Sequence, residues 1–130
     1  TGGSVVEKKR VMIVDDEEDF LELIKANLEM TGNYEVMTLS DAAGLISSVR
    51  SFKPHIILLD IIMPHVDGVE ACKILNSDPN TARIPIIIMS ALYSDKDKLM
   101  MYKLGVVDFM PKPIEKDDLV VKIEKALRFK

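Results

Sequence analysis

The chain predicts an α/β domain in which a parallel sheet of five strands carries helices on both faces. Three observations lead there. Residues 11–14 (Val-Met-Ile-Val), 56–59 (Ile-Ile-Leu-Leu) and 86–89 (Ile-Ile-Ile-Met) are continuously apolar, as strands covered on both faces must be, whereas a half-exposed strand alternates. Stretches with helical periodicity lie between these runs. The connections are short, so each strand is followed by a helix that returns the chain to a parallel neighbour by a right-handed crossover.

The elements follow in order. After the first strand, Phe20, Leu21, Ile24 and Leu28 recur at helical spacing and Gly32 provides a stop. Glu17, Glu18 and Asp19 open that helix, where negative charge suits the dipole. Residues 34–39 and 106–110 mix polar with apolar side chains and are expected at the sheet edges. Residues 41–51, 69–76 and 95–104 read as three further helices, the last ended by Gly105. A fifth helix, over residues 115–129, sets Leu119, Ile123 and Leu127 on one face. Cys72, near Val69 and Leu75, is expected to be a small buried hydrophobe. Met100 and Met101 are assigned in part to packing of the fourth helix.

A chain of 130 residues suits one domain. Residues 9–130 are taken as that domain and residues 1–8 as a flexible N-terminus, with Thr1-Gly2-Gly3-Ser4 read as a cloning remnant. The net charge is −4, and Lys8, Lys9 and Arg10 are separated from the basic C-terminal helix by a mostly acidic middle. That balance lacks the basic stripe of a nucleic-acid binder. The single cysteine excludes an internal disulfide and a multi-cysteine metal site, and it fits a reducing cytosol. No apolar run approaches the roughly 18 residues of a membrane span, so the expectation is a cytoplasmic protein with no membrane partner.

The chemistry gathers at one sheet edge. Asp15 and Asp16, Asp60, Ser90 and Lys112 each stand at or just past the C-terminal end of the first, third, fourth and fifth runs, where open α/β sheets bind ligands. A lone aspartate after a strand is more often a helix cap, Ser90 alone a cap, and Lys112 alone a solvated lysine. Their joint placement on one edge is the informative feature. Three neighbouring carboxylates raise one another's pKa, a cost that a divalent cation relieves. Oxygen donors without His or Cys suit magnesium or manganese, which bind a few carboxylates and a phosphate oxygen. The chemistry suggested is phosphoryl transfer. His55 and His65 lie far from any cysteine or second histidine in sequence, so no metal role is read into them.

Val11-Met12-Ile13-Val14-Asp15-Asp16-Glu17, Leu58-Leu59-Asp60-Ile61-Ile62-Met63-Pro64-His65-Val66-Asp67-Gly68, Met89-Ser90-Ala91 and Lys112-Pro113 together resemble the receiver domain of two-component response regulators. The resemblance covers about residues 9 to 129. It implies a flavodoxin-like, doubly wound sheet of order 2-1-3-4-5, and a signalling phosphoacceptor rather than a turnover enzyme. Asp60 would take a phosphoryl group from a sensor histidine kinase or a histidine phosphotransfer protein. Asp16 would bind magnesium directly, Asp15 mainly through a water, and the Ile62 backbone carbonyl would add a ligand. Lys112 would neutralise the phosphoryl oxygens, Ser90 would donate its hydroxyl to them, and Phe109 would be the switch aromatic that turns inward. A cis peptide is expected at Lys112-Pro113. Ile62 and Leu92, two residues past Asp60 and Ser90, would flank the path of the hydrolysing water; being apolar, they imply slow loss of the phosphoryl group, a tempo suited to gene expression or development.

Three other readings compete. A haloacid-dehalogenase-like phosphatase needs a second aspartate two residues after the first, where this chain has Ile62. A flavodoxin-like FMN protein needs a Gly-, Ser- and Thr-rich phosphate loop after the first strand, where Asp15-Asp16-Glu17-Glu18-Asp19 would repel phosphate. A phosphorylation-independent pseudo-receiver normally lacks part of the acidic pocket, the acceptor or the lysine, all present here. The resemblance implies an output domain or downstream protein partner reached through the fourth helix, fifth strand and fifth helix, a face that is also a candidate for homodimerisation.

Overall fold

The computed structural model describes residues 7–60, 62–63, 66–89 and 94–128. Five strands, β1 (Lys9–Val14), β2 (Tyr34–Leu39), β3 (Ile56–Leu59), β4 (Ile86–Ile88) and β5 (Val106–Phe109), alternate with α1 (Glu18–Glu29), α2 (Leu45–Phe52), α3 (Gly68–Ser77), α4 (Asp95–Lys103) and α5 (Lys116–Arg128). The sheet order is β2-β1-β3-β4-β5 and every pairing in it is parallel. The expected winding is therefore observed. β2 and β5 are the edges, and the three continuous apolar runs are the centre.

The sheet divides the core into two layers. Met12, Val14, Ile57, Leu59, Ile86 and Ile88 pack with Leu45 and Val49 of α2, Ala71, Cys72 and Leu75 of α3, and Met101 of α4. Val11, Ile13, Ile56, Leu58 and Ile87 pack on the other side with Leu21, Ile24 and Leu28 of α1 and Leu119 and Ile123 of α5. Period-two side-chain alternation sends neighbouring residues of one strand to opposite faces. The continuous apolar spelling of the central strands thus serves two helical layers at once. Burial of each such side chain contributes roughly 1.5–3 kcal/mol.

Three details differ from the sequence expectation. α2 begins at Leu45 rather than at residue 41. Asp41 Oδ1 accepts the Ala43 N–H at 2.8 Å, an Asx turn that competes with helix, and Gly44 takes a left-handed conformation at φ 71°. In the segment after Asp60, Ile62–Met63 and Val66–Asp67 pair as a short antiparallel ribbon, too short for periodicity to announce. β5 is irregular: Ile86 faces Val106, but Ile87 faces Asp108, so Val107 is an inserted residue.

Candidate functional site

Backbone bonds fix the strand ends that carry the acidic residues. Asp15 N donates to Leu39 O at 3.0 Å, Asp60 N to Val14 O at 2.9 Å, and Met110 N to Ile88 O at 2.7 Å. These bonds continue the ladders one residue past β1, β3 and β5, which brings Asp15, Asp60 and the approach to Lys112 to a common level. The Lys112–Pro113 peptide bond is cis, as expected.

Asp15 is wholly buried, Asp60 is 6% exposed, and Asp16 is exposed. One carboxylate oxygen from each lies within 4.8 Å of the others. Asp15 Oδ1 accepts the Glu17 N–H at 2.9 Å, serving the start of α1. Asp15 Oδ2 is buried and pairs with Lys112 Nζ at 2.7 Å, a contact poorly aligned as a hydrogen bond that leaves lone-pair capacity on the oxygen. A buried carboxylate oxygen with lone-pair capacity, beside two further carboxylates and, among the described residues, no histidine or cysteine in the group, fits a hard divalent cation.

Lys112 is the counter-charge. Nζ donates to Glu17 Oε1 at 3.0 Å, lies 3.5 Å from Asp60 Oδ2, and sits 4.8 Å from the centroid of the Phe20 ring. Burial opposes its charge, but the close contacts with Asp15 and Glu17 and the charges of Asp15 and Asp60 outweigh that and hold its pKa above the ordinary lysine value. For Asp15 the balance is reversed. Burial pushes its carboxyl up, and the pull of Lys112 and the Glu17 N–H does not fully offset it.

The structure brings Asp15, Asp16, Asp60 and Lys112 together, as expected from their positions at strand ends. Ser90 and Leu92 lie outside the described residues, as does His65, and Ile62 is described in the ribbon only through its backbone. Phe109 is buried at 8% exposure, and its ring stands nearly perpendicular to that of Tyr102 with the centroids 5.1 Å apart. His55 serves the opposite end of the sheet, where its Nδ1 accepts the Arg10 N–H at 2.9 Å. Cys72 is buried in the core. The contact of Lys112 with Phe20 was not legible, because Phe20 was assigned only to the apolar stripe of α1. A signal was available: Glu17 and Phe20 are three apart at the start of a helix and so share a face.

The response regulator receiver domain family matches residues 11–124. Over 120 residues the chain is 34% identical to the alkaline phosphatase synthesis transcriptional regulatory protein PhoP of Bacillus subtilis (strain 168), covering 92% of this chain and 49% of that protein. It is 36% identical over 121 residues to the response regulator PleD of Caulobacter vibrioides, covering 93% of this chain and 26% of that protein. The chain thus spans about half the length of the first relative and about a quarter of the second. The chemotaxis protein CheY4 of Vibrio cholerae shares the fold, with a TM-score of 0.85 at 22% identity over 92% of this chain and 99% of that one. A family match that runs from the first buried residue of β1 into α5 takes in all five strands but for the first two residues of β1, and the chain therefore belongs to the response regulator receiver domain family.

Proposed function

We propose that this receiver domain accepts a phosphoryl group on Asp60 from the phosphohistidine of a sensor histidine kinase or histidine phosphotransfer protein. The signal would leave through the face of α4, β5 and α5 toward an output domain or a partner protein. One observation carries the reading: a nearly buried Asp60 carboxylate lies 3.5 Å from an ammonium and in a cluster with two further acids. In the transfer, an Asp60 oxygen forms the bond to phosphorus as the donor's P–N bond breaks and its electron pair returns to the imidazole nitrogen. The step needs no general base, because a carboxylate nucleophile carries no proton that must leave as the bond to phosphorus forms.

Asp15, Asp16 and Asp60, with the Ile62 backbone carbonyl, are the residues that would hold magnesium or manganese. Bound there, the ion would supply positive charge to the phosphoryl oxygens. Lys112 would neutralise another of those oxygens, a job of positioning and electrostatics. Ser90 would donate its hydroxyl to the acquired group and couple it to Phe109 and the loop before α4. Ile62 and Leu92 offer no hydrogen bond to a hydrolysing water, so the domain would catalyse its own dephosphorylation slowly.

Incubation with magnesium and acetyl phosphate should add one phosphoryl group, read by intact-protein mass spectrometry, and the adduct should decay slowly after the donor is removed. Asp60→Asn should abolish the adduct while the circular dichroism stays that of the wild type. A wild-type chain that takes up no phosphoryl group under these conditions is instead a phosphorylation-independent binding module.

A further inference from the structure

We infer that Glu17 and Phe20, at the start of α1, form a holding site for the Lys112 ammonium and act as positioning residues that set how readily it reaches a phosphoryl group on Asp60. The inference rests on the phosphoacceptor reading of Asp60. Nζ lies 2.7 Å from Asp15 Oδ2, 3.0 Å from Glu17 Oε1 and 3.5 Å from Asp60 Oδ2. Of the three carboxylates, the proposed acceptor is the farthest. The bond to Glu17 is an aligned hydrogen bond, while 3.5 Å exceeds the usual N–H···O range.

Phe20 adds a second, independent restraint. Its ring centroid is 4.8 Å from Nζ, inside the roughly 6 Å over which a ring face attracts a cation. The ring packs against the apolar layer beneath α1, so it stays in place when the ammonium moves. Pro111 and Pro113 flank Lys112 and restrict φ on both sides of it, which leaves the lysine side chain as the moving part. A phosphoryl group on Asp60 must draw the ammonium off Glu17 and away from the ring. Each contact given up counts against that step.

The test uses the whole chain. In metal-free wild type, the Lys112 ε-methylene protons, assigned by Lys112→Arg, should resonate upfield because the Nζ to which that carbon is bonded lies over the Phe20 ring, 4.8 Å from its centroid. Phe20→Tyr should keep that shift and Phe20→Leu should remove it. With magnesium and acetyl phosphate, Glu17→Gln and Phe20→Leu should each label Asp60 roughly two- to fivefold faster than wild type, the range for one partly exposed contact to the ammonium. Phe20→Tyr should label at the wild-type rate. Unshifted Lys112 protons in wild type, or either Glu17→Gln or Phe20→Leu labelling no faster than wild type, would overturn the holding site. If wild type itself takes no label, the phosphoacceptor reading falls and this inference with it.

Discussion

The two oxygens of Asp15 have different partners: Oδ1 accepts the Glu17 N–H and supports the start of α1, while Oδ2 faces Lys112. One side chain therefore joins helix initiation to the charge cluster. Its position just after a buried strand marked it in the sequence, but its complete burial depends on what the fold places around it. Asp78, near the end of α3, shows the ordinary case. The Asn80 N–H and then Arg50 hold its carboxyl below the usual 3.8 of an aspartate. A depressed folded pKa means stability that is present above pH 3.8 and lost as the pH falls through the lowered value. Asp78→Asn removes that titration. The acid limb of the stability curve, followed by urea midpoints below pH 3.8, should be flatter in the variant than in wild type; parallel limbs would mean that the contacts of Asp78 do not couple to folding.

At the scale of elements, the central strands were legible because burial on both faces leaves a continuous apolar spelling that needs no knowledge of neighbours. The start of α2 was not. Residues 41–44 carry no proline and spell an acceptable helix entry, and the Asx turn at Asp41 with left-handed Gly44 displaces the start to Leu45. α2 ends as abruptly, at Lys53, which takes a left-handed conformation at φ 53°. A side chain there is strained, and helices commonly end on glycine for that reason. Lys53→Gly should stabilise the domain by up to about 1 kcal/mol, once the larger unfolded-state entropy of glycine is set against the relief of strain. A urea midpoint that rises with an unchanged slope would show it; a lower midpoint would mean that the Lys53 side chain holds more than its backbone costs.

For the whole molecule, folding brings Asp15, Asp16 and Asp60 together, carboxylates that repel one another in the unfolded chain far less. Magnesium should therefore raise the melting temperature, because a ligand held only by the folded form stabilises it by about 2.7 kcal/mol at a hundredfold excess over its dissociation constant. Asp16→Asn should weaken that response and lift the melting temperature of the metal-free protein slightly, since Asp16 is the exposed member of the group. Melts of wild type that ignore magnesium would remove the metal from the proposed mechanism. None of the helices among the described residues is long and apolar enough to cross a membrane.

The sequence by itself determined the winding, the edge strands and the convergence of Asp15, Asp16, Asp60 and Lys112 on one end of the sheet. The edge strands and the convergence follow from local periodicity and from the rule that parallel strands expose their C-terminal ends together, whereas the order of the winding is what the resemblance to receiver domains implies. Only the tertiary structure decided how Lys112 divides itself among its partners. Glu17 and Lys112 are separated by 95 residues, and no pattern along the chain reports that Lys112 Nζ lies 3.0 Å from Glu17 and 3.5 Å from Asp60. The same holds for the Arg10 bond to His55 across 45 residues. Periodicity reports which face a residue occupies; the distances between faces come from how the side chains of distant segments fill the space between them.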